Sequence, residues 1–411
     1  MATLRQVNRL PLRMALMWAV VGALLLAARG VSEFFEVTDG AGTSSWAFTA
    51  RWTGALAPGV VSLGVFGNLW LVAVASAFSS LPAGRPLRWR SFRYLVPVYQ
   101  LGIVGALTWP LVGQLVPGWW LLRLAAVGAV AYLLVSMAGA LRTRMTDPMA
   151  AHWASLIAAS QFVIGLSLSG LLESDNEILA RIGTFSFMVL VYGWFPQASV
   201  CLFSHALDIQ PFDDQRPIYV ALGAAVGMMV AIFIGGAAGP LLFSLAALVL
   251  TFAFLYVLQP RWVGRFLEWQ ERLFAVGCIT VFIGFGGWSQ ALSGLGILPA
   301  IVPFDRGDVA SLPLKIGLLG TMIAFSAATI ARERSRNLSD RIGRMALAGS
   351  LVLAVPQLVM DVLYLIPEWH YESILVRGMF GVAEVAGAAG LAALGTLAKT
   401  LGRPRADLRA V

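Results

Sequence analysis

Two acids sit where acids are costly. Asp361 lies in Ala354-Val-Pro-Gln-Leu-Val-Met-Asp-Val-Leu-Tyr and Glu384 in Met379-Phe-Gly-Val-Ala-Glu-Val-Ala-Gly, each well inside an apolar run. An ionised carboxylate among lipid tails costs about 3 kcal/mol or more, so such a group faces a bundle interior or a wet cavity. Of the 21 acids, these are the two that neither a loop nor a helix end accommodates. Asp361 precedes Pro367 by six residues and Glu384 follows Gly378 by six, so the two fall at one depth of a helical hairpin. Close together in a low dielectric, two carboxylates do not both stay charged cheaply; one holds a proton or an arginine joins them. Arg29, Arg123, Arg181 and Arg377 all enter from the same outer side, and a guanidinium reaches inward on an apolar stem. The pair therefore reads either as part of a buried acid–arginine cluster that locks the bundle, or as a proton- or cation-coupling site.

The remaining polar residues inside apolar runs are mostly glutamines: Gln100, Gln161, Gln197, Gln290 and Gln357. Gln197 and Gln357 directly follow Pro196 and Pro356. A helix proline frees the carbonyl four residues back, and in a membrane that carbonyl needs another donor, which a glutamine amide or a water supplies. Gln197 and Gln357 are thus either local repairs of a kink or the lining of a polar cavity in a broken helix. The histidines number three, too few for a binuclear haem–copper centre. His152 and His205, at the ends of neighbouring spans, are the weak candidates for holding a single haem, and no haem or copper is expected. Cys201 and His205 share a helix face but lack third and fourth ligands for a metal. No Walker loop, nucleophile elbow or Gly-x-Gly-x-x-Gly cradle is present, and no motif specifies a small-molecule or ion ligand.

Long apolar helices must position these groups. With 59% hydrophobic and 12% charged residues and a mean hydropathy of +0.80, the chain is an all-α polytopic membrane protein, not a soluble one. About twelve spans emerge, the first at Met14–Ala28 and the last two at Met345–Ile366 and Ile374–Ala398. With this count, 22 of the 29 basic residues fall on one side, which puts both termini in the cytoplasm. That bias accounts for the net charge of +8 without nucleic acid; the partner is the lipid bilayer of a bacterial inner membrane. The chain forms one transmembrane domain over 1–411, with halves 1–207 and 218–411 joined by an acidic cytoplasmic loop, His205–Pro217. The outer segment 30–57, with Glu33, Glu36 and Asp39, reads as a polar cap on the outer face. Gly223-x3-Gly227 has the spacing of a helix-pairing face. Asp340-Arg341-Ile-Gly343-Arg344 reads as a charged cytoplasmic turn.

Three segments carry a family likeness. Gly67-Asn-Leu-Trp through Gly84-Arg85-Pro86, Gly193-Trp-Phe-Pro196-Gln, and Lys315-Ile-Gly317-Leu-Leu-Gly320-Thr-Met-Ile323 resemble the second, sixth and tenth spans of the NnrS family. The resemblance implies a twelve-helix bacterial membrane protein linked to nitric-oxide or redox stress and, in that family, to haem and copper. This chain departs from the family: the His-Glu-Met segment near the second span is missing, and Leu312 stands where a histidine is expected. The leading expectation is an NnrS-like inner-membrane protein without an intact haem–copper site. The alternative is a secondary transporter that uses Asp361 and Glu384 as its coupling pair.

Overall fold

The computed structural model describes residues 2–39, 53, 56–79, 89–112, 116, 118–144, 149–209, 213–234, 238–262, 268–284, 311–333, 338–363 and 374–397. The described residues contain no strand and form twelve helices: α1 Ala2–Asp39, α2 Leu56–Phe78, α3 Trp89–Val112, α4 Trp119–Arg142, α5 Ala150–Leu171, α6 Glu177–Ala206, α7 Arg216–Ile234, α8 Ala238–Trp262, α9 Trp269–Gly284, α10 Ser311–Glu333, α11 Asp340–Leu363 and α12 Ile374–Gly395. Eight of them (α1, α2, α4 to α8 and α12) are long and apolar enough to cross a membrane. Large apolar side chains point outward along them, among them Leu24, Val135, Phe252 and Val382. In water such a surface would be an aggregation liability; against lipid it is the expected finish. The protein is a multi-pass helical membrane protein.

Helices adjacent in sequence pack as antiparallel neighbours, and the first and last helices make the most extensive pairing of all. Along that seam Gly22 lies beside Leu391, and Gly30 lies against Gly381. A Cβ on Gly30 would come within 2.5 Å of the Gly381 carbonyl oxygen, and one on Gly381 within 2.7 Å of the Gly30 carbonyl oxygen, so the two backbones touch only because both residues are glycine. At the centre stand α2, the second half of α6, and α10, whose residues 317–331 are buried without exception. Gly223, by contrast, meets nothing within 4 Å, so that glycine lies off any tight seam.

Helix ends at one pole of the bundle are tied by polar contacts. His205 at the end of α6 meets Glu333 at the end of α10 at 2.8 Å, and Arg332 pairs with Asp208. Trp269 donates its indole N–H to Asp340 at 2.8 Å, and its ring sits on Gly343. The segment read as a charged turn is therefore the start of α11, with Asp340 in its first turn, where an acid suits the helix dipole.

The first helix departs from its sequence reading. α1 continues through Gly30 to Asp39, so Glu33 is a helical residue and not part of a polar cap. Gly30 does not end the helix, because its lack of a side chain is used for contact with α12 and not for a turn.

Candidate functional site

Arg29 and Glu384 meet across the α1–α12 seam. Gly30 and Gly381 bring the two backbones together; Arg29 directly precedes the first, and Glu384 lies one turn after the second. The Arg29 Nε stands 2.9 Å from a Glu384 carboxylate oxygen and, equally, 2.9 Å from an oxygen of Glu33, one helical turn along α1. Arg29 is 3% exposed and Glu384 0%. One guanidinium thus serves two carboxylates, and the service is unequal. The Nε–H donates to Glu33, whereas neither Glu384 oxygen receives a hydrogen bond, and the Arg29 Nη1 has no acceptor. The two carboxyl groups lie side by side on the one Arg29 Nε.

The other sequence candidates go elsewhere. Arg123 donates to the Ser167 carbonyl at 3.1 Å and lies over the Trp120 ring, while Arg181 makes an exposed ion pair with Glu177. The side chains of Asp361, Gln357 and Arg377 lie outside the described residues, as do His370 and Gln290. The backbone register still bears on Asp361. Gly349 of α11 lies against Gly390 of α12, and Leu353 against Gly387. Continued antiparallel, that register brings Asp361 level with about Met379, roughly a turn and a half from Glu384. Glu384 finds its partner on α1. Glu33 was missed from sequence, although its i,i+4 spacing to Arg29 was a usable signal.

The histidines are both engaged by protein groups. His152 Nδ1 accepts from the Met149 backbone N–H at 3.0 Å, capping α5, and its Nε2 donates to the Ala77 carbonyl at 2.9 Å, tying α5 to the end of α2. His205 bonds Glu333, while the Cys201 thiol packs against Ser155 and the Ala151 carbonyl. Cys201 and His205 therefore have separate partners. Among the described residues no three His, Cys, Asp or Glu side chains group at metal-binding distance.

A second polar region lies at the centre of the bundle, where two helices widen. Val60–Phe66 of α2 and Val189–Trp194 of α6 are π-helical turns. They end against each other: the Phe66 ring lies 5.6 Å from that of Trp194 and 4.9 Å from that of Phe195. In α6 the widened ladder ends with the Phe195 N–H on the Leu190 carbonyl, immediately before Pro196, which has no N–H to give. The backbone itself therefore absorbs the proline, and Gln197 is not the repairing donor. Its amide is fully buried, with neither the nitrogen nor the oxygen hydrogen-bonded. The chain matches no known family model and no curated protein.

Proposed function

We propose that this chain is a twelve-span secondary transporter of a bacterial inner membrane, both termini cytoplasmic, with Glu384 as the proton- or cation-coupling group. The observation that carries the reading is the incomplete coordination of a fully buried carboxylate. A buried acid–base pair that serves only to hold a bundle needs its remaining lone pairs satisfied, because desolvation otherwise exceeds the Coulombic return. Here Glu33 takes the directed hydrogen bond and Glu384 takes none. With both acids ionised the cluster carries one net negative charge, which a proton between the carboxyls or a small cation on Glu384 would cancel. Loading and release would bias how tightly α1 sits on α12, and in alternating access a shift of that kind exposes a site to one side or the other. In this reading the coupling pair is Glu384 with Glu33, and Asp361, a turn and a half away, stands near it as a further acid. The NnrS-like reading rests on three glycine-bearing motifs, whereas the coupling reading rests on a specific geometry.

Two measurements test it. In detergent, the melting midpoint of the parent should vary with pH or sodium concentration, and Glu384→Gln should flatten that variation while still melting cooperatively. Identical responses in parent and variant exclude coupling at Glu384. Reporter fusions at Gly40, Asp175 and Asp305 should all read periplasmic; a cytoplasmic signal from any of them breaks the twelve-span topology.

A further inference from the structure

The amide region at the facing π turns goes beyond the coupling reading and does not depend on it. Its polar atoms lack partners although they are out of reach of solvent. Gln197 is 0% exposed with its amide nitrogen and oxygen unpaired, the Trp194 indole N–H has no acceptor, and the Gln161 amide oxygen has no donor. The Gln161 nitrogen reaches only the Met229 sulfur, a weak acceptor. These groups belong to one place. Trp194 and Gln197 are a single turn apart, and the Gln161 amide packs 3.0 Å from where a Cβ on Gly193 would stand. The Phe162 ring, next to Gln161 in sequence, lies 5.3 Å from that of Trp194. Burying an amide without a hydrogen bond is unfavourable, and so is widening a helix to a π turn; two such turns meeting at unpaired amides are the pattern of a retained site and not of optimised packing.

We infer that Gln161, Trp194 and Gln197 form a binding site for a small, uncharged, planar solute of the amide or urea type. The chemistry follows from the inventory. The indole N–H and the Gln197 NH2 offer donors, while Gln197 and Gln161 offer carbonyl acceptors, so the ligand must present an acceptor and a donor together. None of the three carries a charge, and an ion placed among them would be uncompensated in a low dielectric. The flanking rings of Phe66, Phe162 and Phe195 suit a flat molecule. An apolar ligand would leave every unpaired atom as it is.

The test uses the full-length protein in detergent with benzamide as probe, and benzoate and toluene as the charged and apolar counterparts of the same ring. Benzamide should raise the melting midpoint saturably, with neither counterpart doing so at equal concentration. Gln197→Leu, and Gln197→Met as the less disruptive change, should weaken benzamide about tenfold or more. Glu384→Gln should bind benzamide like the parent, which separates this site from the coupling reading. The inference is overturned if benzamide produces no saturable shift, since buried water then accounts for the amides. It is equally overturned if benzoate or toluene matches it, or if a folded Gln197 variant retains the parent affinity.

Discussion

Gln100 and Gln197 are the same residue type in the same bundle, and their surroundings are opposite. Gln100 of α3 accepts the Trp18 indole N–H at 2.7 Å and donates to the Asn68 carbonyl oxygen at 2.7 Å; Asn68 in turn donates to the Gly64 backbone carbonyl at 2.6 Å. This chain of bonds runs from α1 through α3 to α2 and ends on a backbone carbonyl within the π turn of α2. The side-chain amide of Gln197, in α6, makes no hydrogen bond. Both sit in apolar helices, so a hydropathy profile treats them alike. The difference teaches that a completed network is architecture, fixing the mutual rotation of three helices, whereas an uncompleted one marks a place kept for something else. The Arg29 cluster is the charged version of the second kind: Glu33 is satisfied and Glu384 is left open.

The largest expected effect comes from the charged region. Arg29→Leu removes the one cation shared by two acids and should cost about 3 kcal/mol or more, because it leaves buried charge uncompensated. The double variant Arg29→Leu/Glu384→Leu should recover much of that loss. A melting series on the two singles and the double measures the coupling, and additive losses would dissolve the cluster into independent contacts. Next is the seam that permits the contact. Gly381→Ala sets a methyl group against the Gly30 carbonyl and should cost about 1–3 kcal/mol by overpacking, with the melting midpoint as readout; an unchanged midpoint would mean that the helices are not in backbone contact. Gln100→Leu should follow, at about 1–3 kcal/mol, since it strands the Trp18 donor and half of the Asn68 amide. The smallest change belongs to Gln197→Leu, within about 1 kcal/mol of the parent and in either direction, because no partner is left behind. Should Gln197→Leu prove more damaging than Gln100→Leu in the same melting assay, the contrast between closed and open networks fails.

Much of this was legible in the chain. Helical class and membrane residence follow from long apolar runs: the described helices overlap those runs, and eight of them are long and apolar enough to cross a membrane, because spanning lipid constrains every residue of a segment at once. Glu384 was identifiable for the same reason: a carboxylate in an apolar run is costly wherever it points. The central packing also left a trace in composition. The glycine-bearing stretches at 67–75 of α2, 193–197 of α6 and 317–323 of α10 are buried throughout, where close approach selects small residues.

What the chain could not specify was pairing. Arg29 was one of four arginines entering from the same side, and nothing local distinguishes it; the choice is made by the antiparallel register of the first and last helices, set by Gly30 on Gly381 across more than three hundred residues of sequence. Glu33 falls in the polar segment 30–57 that reads as a cap, and only contact with α12 shows Gly30 as a packing surface inside a continuing helix. Gln100 and Gln197 were equivalent on paper, since a hydrogen-bond partner is a position in space and not a sequence property. Composition and periodicity determine which groups must be sheltered from lipid. The tertiary structure decides which of them shelter one another, because that depends on helix rotation and register to within a hydrogen bond's length.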